Sequence, residues 1–82
     1  MKIEILGTGC AKCRALEENT RSAAEKLGLE FELEKVTSLA EIVKRGVMMT
    51  PALIVDGDLL SMGKALSPDD VERLLIGRIP VS

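Results

Sequence analysis

The two cysteines of this 82-residue chain, Cys10 and Cys13, are separated by two residues. A thiolate is both a nucleophile and a soft metal ligand, so a C-x-x-C pair suits disulfide exchange or metal binding. A structural disulfide is the third possible use, but the chain-entropy model gives a four-residue loop only about 2 kcal/mol. Small domains that depend on disulfides carry several and close longer loops. The pair is therefore predicted to be reactive rather than structural.

The cysteine pair lies where a glycine-containing loop meets a helix. Gly7-Thr8-Gly9 precedes it, and from Cys10 onward inward-facing residues recur in steps of three and four. These residues are Cys13, Leu16, Thr20, Ala23 and Leu27. A helix N-terminus presents free N–H groups and partial positive charge, which favour thiolate, and Lys12 adds positive charge. Cys10 is thus predicted to be exposed, with a lowered pKa, and to attack a disulfide. The inward Cys13 is predicted to resolve the mixed disulfide that results.

Composition excludes several classes of function. The chain has no histidine, which excludes histidine-based catalytic and metal sites, and its net charge of −2 gives no reason to expect nucleic acid as a partner. The longest purely apolar run, Ala52–Val55, is far shorter than the roughly 20 residues that span a membrane. Glu4 interrupts the N-terminal apolar segment, so no signal peptide is predicted. We therefore expect a cytoplasmic protein with no membrane partner.

Hydrophobic periodicity predicts the elements of the first half of the chain. Alternation of polar and apolar residues predicts a strand at Lys2–Leu6. A second strand is predicted at 29–35, where one face is acidic and therefore suits an edge of the sheet. Ser38 and Glu41 match an S-x-x-E capping box that opens a short helix. The residues of that helix predicted to face inward are Leu39, Ile42 and Val43.

Turn and capping signals organise the second half. Ala52–Val55 is predicted to be a strand covered on both faces, and Asp56-Gly57 is a hairpin signal that predicts an antiparallel return over 58–62. Ser67-Pro68 predicts the start of a last helix with Val71, Leu74 and Leu75 buried, and Pro80 is predicted to close the chain. The resulting fold class is α/β. It comprises a four-stranded mixed sheet with three helices, in the order β-α-β-α-β-β-α, with the first two strands parallel.

These features together resemble the thioredoxin fold. The resemblance rests on the glycine-containing loop, Cys10 and Cys13 at the first helix, Thr50-Pro51 before an apolar strand, and the Asp56-Gly57 hairpin. More narrowly, the chain is similar to the small thioredoxin-like redox-active disulfide proteins of bacteria and archaea. The resemblance covers essentially the whole chain and implies one thioredoxin-like domain over 1–82. It implies a thiol–disulfide oxidoreductase that needs no bound cofactor, because the electrons are stored in the Cys10–Cys13 disulfide.

The resemblance also implies a substrate groove and partners. In that family the proline before the third core strand is cis and lies beside the cysteines, which makes Pro51 cis and gives Thr50 the substrate contact. Gly63 matches the family's glycine near the groove. The implied partners are a protein or small-molecule disulfide as substrate and an upstream disulfide reductase. We expect the protein itself to be a monomer.

Two other functions use the same residues. Heavy-metal-associated domains also place C-x-x-C in a loop before a first helix, so a carrier of Cu(I) or Zn(II) is one alternative. Against it, this chain has a predicted helix near 39–45 and ends in a helix, and two cysteines alone do not complete a zinc site. Met48 and Met49 are predicted to fill gaps in the core rather than to bind copper. The other alternative is a binding module of the same fold without exchange activity.

Overall fold

The computed structural model describes residues 1–78, and seven elements follow one another in the predicted order. They are β1 (Lys2–Leu6), α1 (Ala11–Lys26), β2 (Glu32–Val36), α2 (Leu39–Lys44), β3 (Ala52–Val55), β4 (Asp58–Met62) and α3 (Pro68–Ile76). The predicted α/β fold class and β-α-β-α-β-β-α order are confirmed. The predicted stop at Pro80 lies outside the described residues.

The four strands form one mixed sheet in the order β2-β1-β3-β4. β1 is parallel to β2 and antiparallel to β3, and β3 and β4 form the predicted hairpin. At the hairpin, Asp56 and Gly57 both have positive φ, 50° and 86°, as a tight two-residue turn requires. The Asp56 carboxylate also accepts a hydrogen bond of 2.8 Å from the Lys2 backbone N–H. β1, which leads into the cysteine loop, is therefore a central strand bonded on both sides.

Helices cover both faces of this sheet. α1 and α3 pack on one face against Ile3, Ile5 and the inward residues of β3. α2 covers the other face, where Ile42 packs with Leu6 and Ile54. β1 is buried on both faces, because Glu4, on the face opposite Ile3 and Ile5, is buried as well.

A charged side chain compensates the buried carboxylate of Glu4. The Arg45 Nε atom donates a hydrogen bond of 2.8 Å to Glu4 Oε2, and Arg45 Nη1 donates one of 2.8 Å to Glu41 Oε2. A carboxylate taken out of water is costly unless it is paired and hydrogen-bonded, and Arg45 meets that requirement. The pair also ties the end of α2 to the central strand.

Two predictions for α2 are wrong. Leu39 and Val43 are 68% and 64% exposed, and only Ile42 of the three reaches the sheet. The helix has six residues, fewer than two turns at 3.6 residues per turn, so it presents a single inward position. Among the described residues, Ser38 Oγ finds no backbone N–H to cap, and Glu41 pairs with Arg45 instead of completing a capping box.

The second strand begins later than predicted, at Glu32 rather than Leu29. Gly28 takes a left-handed φ of 69° and the Leu29 N–H bonds to the Ala24 carbonyl at 3.1 Å. These contacts finish α1 and keep Leu29 out of the sheet. Glu32 then joins β1, with its N–H bonded to the Met1 carbonyl.

Candidate active site

The two cysteine sulfurs lie together at the start of α1. Cys10 is the N-cap residue and is exposed, whereas Cys13 in the first turn is only 5% exposed. Both are free thiols, and their Sγ atoms are 3.1 Å apart, within hydrogen-bond reach for sulfur. The predicted division into an outer and an inner cysteine is thus present in the geometry.

The pKa values of the two thiols shift in opposite directions. The pKa of Cys10 is lowered, chiefly because the Cys13 thiol donates to its sulfur. The backbone N–H groups of Cys13 and Lys12 lower the pKa of Cys10 further through their dipoles, as expected at a helix N-terminus. The pKa of Cys13 is raised, first by burial and then by its hydrogen bond to Cys10. At neutral pH the outer sulfur is therefore the one that more readily carries the negative charge.

Lys12 is exposed beside Cys10. It lowers the pKa of Cys10 through its backbone N–H. The effect of its side-chain charge stays a prediction.

The loop before β3 contains Thr50 and Pro51 and brings Thr50 close to Cys13. A Cβ atom built on Gly7 would be 3.1 Å from Cys13 Cβ and 3.9 Å from Thr50 Cβ, so Thr50 and Cys13 lie close together beside Gly7. The Thr50–Pro51 peptide bond is cis, in agreement with the resemblance. Thr50 is exposed and Pro51 is buried.

Gly63 joins the site through Pro51 rather than through the cysteines. Its N–H donates a hydrogen bond of 2.8 Å to the Pro51 carbonyl, and its φ of 78° lies in the left-handed region. The Met49 side chain covers the open face of Gly63, since an added Cβ would meet Met49 Cε at 3.0 Å. Gly63 and Met49 therefore form one wall next to the Thr50–Pro51 segment.

The prediction that Met48 and Met49 fill core gaps is wrong. Met48 is 91% exposed and Met49 is 58% exposed, because the loop between α2 and β3 runs over the surface. Met48 and Thr50 also line an apolar groove of about 470 Å³ along α2. Within residues 1–78, no group of three or more His, Cys, Asp or Glu side chains converges as metal ligands would.

Comparisons with known proteins identify the family of the chain. A family model described as a thioredoxin domain matches residues 1–76. The chain belongs to the thioredoxin family. It is 43% identical over 75 residues to a thioredoxin of Methanothermobacter thermautotrophicus, a match that covers 92% of this chain and 97% of that protein. A thioredoxin of Methanocaldococcus jannaschii is 38% identical over 73 residues, covering 89% of this chain and 84% of the relative.

Family membership settles the reaction class. The thioredoxin-family chain described here is a thiol–disulfide oxidoreductase with a C-x-x-C pair. In the part of the chain that the structure describes, no helix has the length and apolar character needed to cross a membrane.

Two residues of the site escaped the reasoning from sequence. The sequence places Gly7 only in the glycine-containing loop before the cysteines, yet Gly7 lies directly against Cys13. Met49 was assigned to the core, yet it covers Gly63. A glycine at a strand end and a methionine before a strand look the same whether or not they border an active site. Only the packing of α1 and β4 around them identifies these residues.

Proposed function

We propose that Cys10 is the nucleophile and Cys13 the resolving thiol of this oxidoreductase. The observation that carries the proposal is the pair of sulfurs 3.1 Å apart, one exposed with a lowered pKa and one buried with a raised pKa. A thiolate attacks a disulfide faster than a thiol does, so the first attack falls to Cys10.

The exchange then proceeds in two steps. The Cys10 thiolate attacks one substrate sulfur, the substrate S–S bond breaks, and the released thiolate takes a proton from water. Cys13 then loses its proton to solvent and attacks Cys10 Sγ, which expels the second substrate sulfur as a thiolate that also takes a proton from water. The substrate disulfide gains two electrons and two protons, and the protein dithiol becomes the Cys10–Cys13 disulfide.

We further propose that Thr50, Pro51 and Gly63 position the substrate. The Pro51 carbonyl already accepts from Gly63, which supports the view that Thr50 presents the loop's backbone to the substrate. Thr50 is exposed and lies close to Cys13 beside Gly7, so a peptide beside it reaches the cysteines. The Lys12 side chain adds positive potential near Cys10 in this proposal.

The partners follow from the reaction. A protein disulfide is the substrate and a disulfide reductase returns the electrons. No bound cofactor is required, because the two sulfurs hold the electrons themselves. The thioredoxin relatives support both partners. We propose that the protein is cytoplasmic, since a reducing compartment keeps the cysteine pair in its dithiol form. We also propose that it is a monomer and that residues 1–82 form one domain.

Reduction of insulin disulfides by dithiothreitol tests the proposal. The wild-type protein should accelerate the reaction, and Cys10→Ser should abolish the acceleration while the protein remains folded. Metal content is measured on the same preparation, because a metal carrier is the alternative use of two thiolates. Near-stoichiometric copper or zinc in a protein that does not accelerate reduction would contradict the proposal.

A further inference from the structure

Gly7 directly follows β1 and is buried against Cys13. A Cβ atom on Gly7 would overlap Cys13 Sγ and lie 3.1 Å from Cys13 Cβ. Gly7 is absent from the glycines with positive φ, so its backbone conformation is open to alanine. Glycine is therefore needed here for the space that it leaves and not for its backbone freedom.

We propose that Gly7 is a positioning residue for the redox reaction. Because Gly7 has no side chain, Cys13 Sγ can pack against its Cα atom and stay within reach of Cys10. The role rests on the proposed function, in which Cys13 resolves the mixed disulfide. Neither the family match nor the relatives' names assign any role to this glycine.

The backbone at Gly7 has no room to retreat from an added side chain. Its N–H bonds to the Val36 carbonyl at 2.9 Å, and the preceding Leu6 is paired with β2 on one side and β3 on the other. On the side-chain side, Thr50 Cβ would lie 3.9 Å from the added methyl group, in ordinary van der Waals contact. Any methyl group at Gly7 must therefore displace the Cys13 sulfur.

The displaced sulfur has a place to go. Gly7 and Cys13 both line a cavity of about 110 Å³, whose lining also includes Lys35 and Thr37. Rotation of Cys13 into another staggered well would carry Sγ into this space and away from Cys10. Gly7→Ala should consequently fold and yet separate the two sulfurs.

The first experiment compares Gly7→Ala with Gly77→Ala. Gly77 has an ordinary φ of −64°, and a Cβ there would meet nothing closer than 3.6 Å, so it controls for the glycine-to-alanine change itself. Single-turnover reduction of a protein disulfide, quenched by acid, gives the rate at which the Cys10 mixed disulfide is resolved. We expect this rate to fall at least about 100-fold in Gly7→Ala, because a misplacement of only about 1 Å already causes an effect of that size. The Gly77→Ala rate should equal that of the wild type.

The pH profile of Cys10 alkylation supplies a readout that a loss of stability alone would not move. In Gly7→Ala the Cys13 thiol no longer donates to Cys10, so the alkylation midpoint should shift to higher pH than in the wild type. A Gly7→Ala protein with the wild-type midpoint and the wild-type resolution rate would overturn the inference.

A double-mutant cycle in unfolding free energy, with Gly7→Ala and Cys13→Ala, tests the contact between Gly7 and the Cys13 sulfur. It remains informative even where Gly7→Ala alone fails to fold. The cost of Gly7→Ala in unfolding free energy should be larger with the Cys13 sulfur present than in the Cys13→Ala background. A remainder is expected, because Cys13 Cβ is still 3.1 Å from the new methyl group. Equal costs in the two backgrounds, or a double variant that stays unfolded, would refute the contact.

These outcomes separate the inference from the proposed function. A wild-type protein that does not reduce insulin removes the function and with it this role of Gly7. An active wild type with an unaltered Gly7→Ala variant removes the role of Gly7 alone.

Discussion

Replacing Cys13 with serine should convert a transient mixed disulfide into a lasting product. In the wild type, the Cys13 sulfur lies 3.1 Å from Cys10 Sγ, within the 3–3.5 Å separation of reacting atoms from which attack proceeds. Serine keeps the size of the side chain but removes the sulfur that must form the new bond. Only thiols from solution then remain to release the substrate from Cys10.

The size of the effect follows from this proximity. Well-oriented intramolecular reactions reach effective molarities of at least about 10⁵ M, which exceeds an external thiol at about 1 mM by about 10⁸. Burial raises the pKa of Cys13, so little of it is thiolate at neutral pH. The low thiolate fraction of Cys13 and imperfect alignment together reduce this advantage by about a thousandfold. The mixed disulfide of Cys13→Ser should therefore persist about 10⁵ times longer than that of the wild type.

The assay mixes each reduced variant with insulin and follows the adduct by non-reducing electrophoresis and intact mass. Cys10→Ser is the matched control, since it has the same composition as Cys13→Ser and the other sulfur. Cys13→Ser should accumulate one adduct through Cys10, and Cys10→Ser should accumulate none. Trapping by Cys10→Ser instead, or decay of the Cys13→Ser adduct at the wild-type rate, would refute the assignment of roles.

Further outcomes concern the thiols, metal and the substrate groove. Limiting iodoacetamide near neutral pH should label Cys10 first, and the labelling rate should rise with pH around a midpoint below that of an ordinary thiol, because the Cys10 pKa is lowered. Preferential labelling of Cys13 would reverse the roles. Protein purified without reductant should contain the Cys10–Cys13 disulfide and far less than one metal ion per chain by elemental analysis. Retained copper or zinc with reduced thiols would favour a carrier. Gly63→Ala should lower the unfolding free energy by about 1–2 kcal/mol in denaturant titration, because φ is 78° there. An unchanged midpoint would mean that the β4 end relaxes freely.

Features set by neighbouring residues could be predicted from the sequence. The helix start at Ser67 is an example, because its Oγ accepts from the Asp70 N–H at 3.2 Å, three residues away. The Asp56-Gly57 turn and the end of α1 at Gly28 are others, since each depends on one or two positive φ values. Such signals act within a few residues and are therefore visible in the order of the residues alone.

Features set by distant residues were missed. The burial of Glu4 is an example: Arg45 lies 41 residues later in the chain and supplies the charge that allows the Glu4 carboxylate to be buried. The outward faces of Leu39 and Val43 likewise depend on how short α2 is and where β1 and β3 place it. Periodicity describes a helix of several turns well and one of six residues poorly.

The candidate site divides in the same way. The spacing of Cys10 and Cys13, at a helix start, predicted their proximity and their unequal exposure. The closeness of Thr50 to Cys13 joins positions 37 residues apart in the chain and was reached only through the family resemblance. The contact of Gly7 with Cys13 depends on the angle at which α1 leaves the sheet, which no local pattern encodes.

The cysteine pair and the segment that contains Met48 and Thr50 differ in how firmly the rest of the fold holds them. Cys10 and Cys13 lie at the start of α1, which follows β1 and packs on the main core. β1 is hydrogen-bonded to a neighbouring strand on both sides. α2, which precedes Met48 and Thr50, is secured by Ile42 and by the Arg45 pair. Amide hydrogen exchange should accordingly be slow through β1 and β3 and much faster in α2. The two cysteines would then be held by a rigid part of the fold, while α2 and the segment that contains Met48 and Thr50 could adjust to the shape of a bound partner.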